Sequence, residues 1–172
     1  MLIAFAGLSG AGKTTIARIL AQRLGAAYLR IDTIEQALRS SRVLKKDVGP
    51  SGYVVAQRVA EENLRIGRIV VADSVNPLQV TRDAWRAVAE RASTDVIEIE
   101  VICSDVAEHR RRVEARQSDI EGLEPPECQA VATREYETWD RPHIVIDTAS
   151  RAPQDNVAEL LARLSDPSAA PA

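Results

Sequence analysis

The stretch Gly7-Leu8-Ser9-Gly10-Ala11-Gly12-Lys13-Thr14-Thr15 directly follows the apolar run Leu2 to Ala6. Its fixed positions carry the G-x-x-x-x-G-K-[ST] spacing of a phosphate-binding loop. The glycines let the backbone curl so that amide groups point inward, and the helix that follows adds its positive end. Ser9, Gly10, Ala11 and Gly12 are therefore expected to cradle the phosphates of a nucleotide, with Lys13 bridging the β- and γ-phosphates. Thr14 offers a hydroxyl to Mg²⁺, which takes oxygen ligands and retains water. Thr15 is placed to touch a phosphate as well. The cofactors this implies are ATP and Mg²⁺.

A phosphate cradle does not name a reaction, so other residues must. Asp32 is expected at the end of a second strand, nineteen residues beyond Lys13. A carboxylate there can orient an acceptor hydroxyl and take its proton. The stretch Arg30 to Leu38 also reads as a helix start, with Asp32 as the cap and Glu35 in the first turn. Asp73 closes Ile69-Val70-Val71-Ala72-Asp73 and is the second candidate metal support. The candidate substrate contacts besides Asp32 are Tyr53, Asn76 and Arg82, the last because a guanidinium clamps anionic groups with two bonds. Arg112 and Arg116 are four apart, on one helix face. They precede the break Ser118 to Glu127, which reads as a hinge into a lid. Arginines there would neutralise charge on a moving phosphoryl group. The catalytic set is thus Lys13, Asp32, Arg112 and Arg116. Arg110 and Pro153 are the candidate adenine contacts, Pro153 within the loop from Thr148 that follows the last strand. His109, His143, Trp85 and Trp139 read as structural residues.

The positioning elements follow from periodicity. Short apolar runs predict strands at Leu2–Ala6, Ala26–Ile31, Arg68–Asp73, Asp95–Cys103 and His143–Thr148. Helical spacing predicts a helix from Thr14 to Leu24 with Gly25 at its end, a short helix after Asp32, and one from Tyr53 to Ile66 with Val55, Val59 and Ile66 on one side. Another starts at Asn76-Pro77, with Pro77 in its first turn and Val80, Ala84 and Val88 facing inward. A helix capped by Ser104 or Asp105 runs to about Gln117, one runs from Pro126 to about Trp139, and the last carries Val157, Leu160, Leu161 and Leu164. Residues 41–52 read as a loop. Strands alternating with helices give an α/β domain with a mostly parallel sheet. Ligands are expected at the carboxyl ends of its strands. Residues 1–164 read as one domain with a lid around 116–126, and residues 165–172 as a disordered tail.

Composition narrows the function classes. The formal net charge of −3 offers no general basic field for a nucleic acid, so a nucleic-acid partner is not expected. No apolar stretch reaches the length of a membrane span, and no secretory signal is visible, so a cytoplasmic location is the expectation. Cys103 and Cys128 have no metal-ligand spacing and read as buried thiols. Oligomeric state is not legible.

Taken together, "GLSGAGKTT", an Asp at the end of strand two, "VVADSVNP", an Arg pair before a lid and a last strand ending in Asp-Thr carry a resemblance. The chain resembles the small P-loop kinases of the nucleoside-monophosphate-kinase-like group, among them adenylylsulfate kinase, chloramphenicol phosphotransferase, gluconate kinase and the polynucleotide kinase domain. The resemblance implies a three-layer P-loop fold with a five-stranded parallel sheet of order 2-3-1-4-5, a helical lid, and transfer of the ATP γ-phosphate to a hydroxyl of a small-molecule acceptor. It places Asp32 as the base-like residue, Asp73 in the strand-three acidic position, and Arg112 and Arg116 as lid arginines. The Asp-Gly-Asp-Asn stretch of the adenylylsulfate kinases reads Arg30-Ile31-Asp32-Thr33 here. The alternatives are a regulatory ATPase or switch, which needs no acceptor carboxylate, and a nucleic-acid end kinase, which needs a basic channel.

Overall fold

A computed structural model describes residues 1–41 and 48–165. Its five strands are β1 (Leu2–Ala6), β2 (Ala27–Arg30), β3 (Val70–Asp73), β4 (Val96–Ile102) and β5 (Ile144–Asp147). They pair in parallel in the order β2-β3-β1-β4-β5, as the resemblance implies. The helices are α1 (Lys13–Leu24), α2 (Ile31–Ser40), α3 (Ser51–Arg65), α4 (Gln79–Arg91), α5 (Val106–Glu114), α6 (Cys128–Ala132) and α7 (Pro153–Ser165).

Alternation along the strands builds two cores, because successive side chains leave opposite faces of a sheet. Ile3 and Phe5 of β1 pack with Ile16 and Leu20 of α1 and with Val157 and Leu160 of α7. Leu2 and Ala4 face the other way, toward Ala56, Ala60 and Leu64 of α3 and Trp85 and Val88 of α4. The sheet is thus covered on both sides, which is why its central strands read as unbroken apolar runs. No described helix is long and apolar enough to cross a membrane.

Several sequence expectations change. α3 turns Ala56 and Ala60 inward and leaves Val55, Val59 and Ile66 exposed. α4 starts at Gln79, so Pro77 precedes it, and its inner face is Arg82, Trp85, Val88 and Ala89, with Val80 exposed. α5 ends at Glu114 rather than near Gln117. The helix expected from Pro126 to Trp139 is only the five-residue α6. Beyond it the chain is held irregular by distant partners: the Glu137 N–H donates to the Pro77 carbonyl at 2.8 Å, and Arg82 takes the Glu137 and Thr138 carbonyls. Cys103 and Cys128 are free and half-buried rather than buried. Within the expected loop 41–52, Ser51 and Gly52 already belong to α3, while residues 42–47 lie outside the described residues, as does the expected tail from 166.

Candidate active site

The loop between β1 and α1 has a geometry that only glycine accommodates at two points. Gly7 has φ +126°, and a Cβ there would stand 2.1 Å from the Val101 carbonyl oxygen. Gly10 has φ +84°, with Val113 Cγ2 at 2.5 Å from such a Cβ. Both facts combine left-handed backbone with close approach. His109 Nε2 meets the Ser9 carbonyl at 2.7 Å, so this histidine braces the loop from α5. Lys13 Nζ donates to the Leu8 carbonyl at 2.9 Å across the loop. Burial pulls the Lys13 ammonium down to a pKa of about 8, against the opposing pull of the Asp73 and Asp32 carboxylates. A phosphate beside it would restore its preference for the charged form.

Thr148, just past β5, ties three elements together. Its hydroxyl lies 2.9 Å from the Ala11 carbonyl and 3.0 Å from the Ile102 carbonyl, and accepts from Arg112 Nη1 at 2.7 Å. Arg112 Nη2 adds a bond to the Thr148 carbonyl at 3.0 Å and pairs with Glu108. Arg112 therefore lines the cavity while fixing the loop that follows β5.

A cavity of about 580 Å³ runs from Thr148, Arg151 and Pro153 along the glycine loop to Asp73, Arg30 and Asp32. It lies at the carboxyl ends of the strands, where open α/β sheets take their ligands. A second cavity of about 220 Å³ lies beyond Asp32, among Glu35, Tyr53, Glu124 and Arg134. Asp32 and Arg116 line both. Arg116 Nη2 and Arg30 Nη2 both approach Asp32 Oδ2, at 3.7 and 3.8 Å. Asp32 is not the cap expected for α2. It lies inside the first turn, and the capping position is Arg30, whose side chain makes no cap bond.

Asp73 is 3% exposed and accepts from the Tyr28 hydroxyl at 2.7 Å. Burial, reinforced by Asp73, pushes the Tyr28 hydroxyl far above its ordinary range, so it stays a donor at any ordinary pH. Thr14 lines the same cavity, so the two residues expected to hold a cation supply one hydroxyl and one carboxylate. No group of three or more His, Cys, Asp or Glu that could hold a metal ion exists among the described residues. A hard cation taking oxygen ligands chiefly from phosphate and water fits this sparse donor set.

The structure gathers Ser9, Gly10, Gly12, Lys13, Thr14, Thr15, Asp32, Asp73, Arg112, Arg116 and Pro153 on the larger cavity, and Tyr53 on the smaller. Ala11 contributes its carbonyl to Thr148 and is otherwise buried under the loop. Three candidates stand elsewhere. Arg110 is turned outward along α5 to Glu114 at 2.8 Å and lines neither cavity, a position that does not fit the adenine contact expected of it. Arg82 is 1% exposed and held by the carbonyls of Asn76, Pro77, Glu137 and Thr138. It lies over the rings of Tyr136 and Trp139. It is a buried post joining α4 to the segment before β5, not a substrate clamp. Asn76 is buried, with Nδ2 on the Phe5 carbonyl at 2.9 Å and its N–H on the Tyr53 hydroxyl at 3.4 Å. It steadies Tyr53 from outside the cavity.

Sequence reasoning missed Arg18, Arg30 and Asp119, all on the larger cavity, and Glu124 and Arg134 on the smaller. Arg30 had one signal, its place at the carboxyl end of a strand. Asp119 had none nearby, since its partners are 89 and 101 residues away.

Comparison with known proteins shows the family of the chain. A profile of the family described as AAA domain matches residues 2–137. An adenylyl-sulfate kinase of Burkholderia ambifaria is 31% identical over 170 residues, covering 92% of this chain and 88% of that protein. A protein of Sorangium cellulosum named as a probable bifunctional SAT/APS kinase 2 is 26% identical over 184 residues, covering 94% of this chain. The chain spans only 28% of the length of that bifunctional relative. Among solved structures, Chaetomium thermophilum Kti12 in complex with ADP-AlF3 superposes with a TM-score of 0.71 at 24% identity, over 100% of both chains. At that identity the match speaks for the fold.

Proposed function

The chain belongs to the AAA domain family and is a relative of the adenylyl-sulfate kinases, and on that premise we propose that it transfers the γ-phosphate of ATP to a hydroxyl of a small molecule. One observation carries the reading: two cavities of unequal size meet at Asp32 and Arg116. A donor in the larger and an acceptor in the smaller would face each other across that carboxylate and that guanidinium. In-line phosphoryl transfer asks the protein mainly for positioning and charge neutralisation.

In this reading the amides from Ser9 to Gly12 and the start of α1 hold the phosphates, and Lys13 exchanges the Leu8 carbonyl for a phosphate oxygen. Arg116 neutralises the transferred group. Asp32 accepts a hydrogen bond from the acceptor hydroxyl and takes its proton as the new P–O bond forms and the bond from the γ-phosphorus to the β–γ bridging oxygen breaks, releasing ADP. Arg112, fixed by Thr148, borders the nucleotide together with Pro153. Thr14 and Asp73 are the residues that would hold Mg²⁺, which would neutralise phosphate charge when bound. Residues 1–164 act as one P-loop kinase domain, with 116–126 as the lid. The acceptor is polar, because its cavity presents carboxylates (Asp32, Glu35, Glu124), guanidinium groups (Arg116, Arg134) and the Tyr53 hydroxyl.

The test is an ATP-consumption screen over hydroxyl compounds: adenylylsulfate, sugars, nucleosides, aminoglycosides and hydroxy amino acids. The reading expects one class to speed ADP formation at least about tenfold and to appear as a phosphorylated product. ATP hydrolysis that no acceptor alters would instead favour a regulatory ATPase.

A further inference from the structure

Between the end of α5 and the start of α6 the chain crosses the large cavity without regular structure, as a strap from Arg116 to Ile120. We propose that Asp119 is a positioning residue: it pins this strap to the cavity floor and thereby decides which guanidinium engages Asp32. The inference rests on the kinase reading for its kinetic consequence, but not for the pinning itself.

Asp119 uses both carboxylate oxygens. Oδ2 meets Arg18 Nη2 at 2.5 Å and Oδ1 meets Arg30 Nη1 at 2.8 Å. Arg18 belongs to α1, one turn beyond Thr14, and Arg30 is the last residue of β2, so one side chain joins strap, helix and sheet. Arg30 is the more demanding partner. Its side chain is 5% exposed and its Nε is buried with no hydrogen-bond partner. A buried guanidinium this poorly satisfied needs the carboxylate it has. The two arginines hold the Asp119 carboxyl well below the usual range, so it is ionised at neutral pH.

The strap transmits that anchorage over a short, stiff path. The Ser118 hydroxyl donates to the Ile120 carbonyl at 3.0 Å and accepts from its N–H at 3.1 Å, closing a tight turn around Asp119. Arg116 lies three residues before the anchor and reaches Asp32 Oδ2. Five side chains thus alternate in sign: Arg18, Asp119, Arg30, Asp32 and Arg116. Arg30 and Arg116 compete for the same oxygen of Asp32. With Asp119 in place, Arg30 is drawn back to 3.8 Å from it. Without that charge, Asp32 is the remaining ion-pair partner of Arg30 among the described residues, and Arg30 would close on it. Arg116 would then lose both its tether and its target, and Asp32 would be masked from an acceptor hydroxyl. Exposed ion pairs at the Arg18 end add little stability by themselves; the consequence is one of geometry.

Asp119→Asn tests this in two independent ways. Hydrogen exchange on the nucleotide-free protein is expected to show faster exchange across residues 116–124 than in the wild type, whatever the protein's activity. With the acceptor from the screen, kcat is expected to fall at least about tenfold, with the KM for ATP changed less than about threefold. Asp119→Glu should recover part of kcat. Adding Arg30→Gln to Asp119→Asn removes the competitor and should raise kcat above that of Asp119→Asn alone, a rescue that loss of stability would not produce. Unchanged exchange in Asp119→Asn would overturn the pinning. Wild-type kcat in that variant, or a double variant slower than Asp119→Asn, would overturn the competition. If no compound in the screen is phosphorylated, the kinase reading fails, while the exchange result still decides the pinning.

Discussion

Arg116 Nη2 lies 3.7 Å from Asp32 Oδ2, and this pair forms the junction between the two cavities. In the proposed mechanism this cation stabilises the moving phosphoryl group and this carboxylate orients its acceptor. Arg116→Ala is expected to lower kcat about 10²- to 10³-fold, with ATP affinity changed only a few-fold. Steady-state kinetics alongside calorimetric ATP titration would check it. A loss carried by ATP affinity alone would place Arg116 in ground-state binding instead.

Thr148 links the glycine loop, β4 and Arg112 through one hydroxyl. Thr148→Val keeps the shape and removes those bonds. ATP affinity is expected to fall about five- to tenfold, equivalent to roughly one net hydrogen bond. An acceptor KM that moves as much as the ATP Kd would contradict its placement on the nucleotide side.

Arg82 separates stability from function. Arg82→Ala removes the buried donor from the Asn76, Glu137 and Thr138 carbonyls, leaves Pro77 only the Glu137 N–H, and opens a void beneath Tyr136 and Trp139. A destabilisation of about 3 kcal/mol in urea unfolding is expected. At temperatures where the variant is folded, its acceptor KM should match the wild type, since Arg82 lines neither cavity. A selective rise in acceptor KM would restore the substrate-clamp role that the sequence suggested.

Asp147 predicts a pH dependence. Its Oδ1 accepts the Ser104 and Ala149 N–H groups, each at 3.0 Å. A hydrogen bond from the Ser104 side chain leads in holding its pKa below the ordinary 3.8, and the two N–H groups act in the same direction. In the window beneath 3.8 the unfolded chain binds the proton more readily than the folded one. The carboxylate's contribution is therefore complete above that value and is lost as pH falls through the folded pKa. Asp147→Asn should cost about 1 kcal/mol near neutral pH, and the difference from wild type should shrink in acid. Urea titrations from about pH 7 to about pH 3 would show it. A difference independent of pH would contradict the assignment.

How legible this was depended on how local each signal is. The glycine loop spells its geometry in consecutive residues, and the strands read as apolar runs because both sheet faces are covered. The inner face of α3 was misread because hydrophobicity favours valine, whereas close packing on the sheet takes Ala56 and Ala60 and leaves Val55 and Val59 outside. The chain after α6 was misread because Arg82, more than fifty residues earlier, claims its carbonyls. Asp119 carries no local pattern, since its meaning comes wholly from Arg18 and Arg30. Asp32 and Arg116 were each singled out by type and place, but that they touch is a property of the folded strap.

The most direct measurement is phosphate transfer by Asp32→Asn, followed with the acceptor from the screen and paired with calorimetric titration of ATP and magnesium. The proposed mechanism predicts transfer lowered at least about a thousandfold while ATP binds within a few-fold of wild type. Transfer at the wild-type rate, with ATP still bound, would show that the junction carboxylate takes no part in the chemistry.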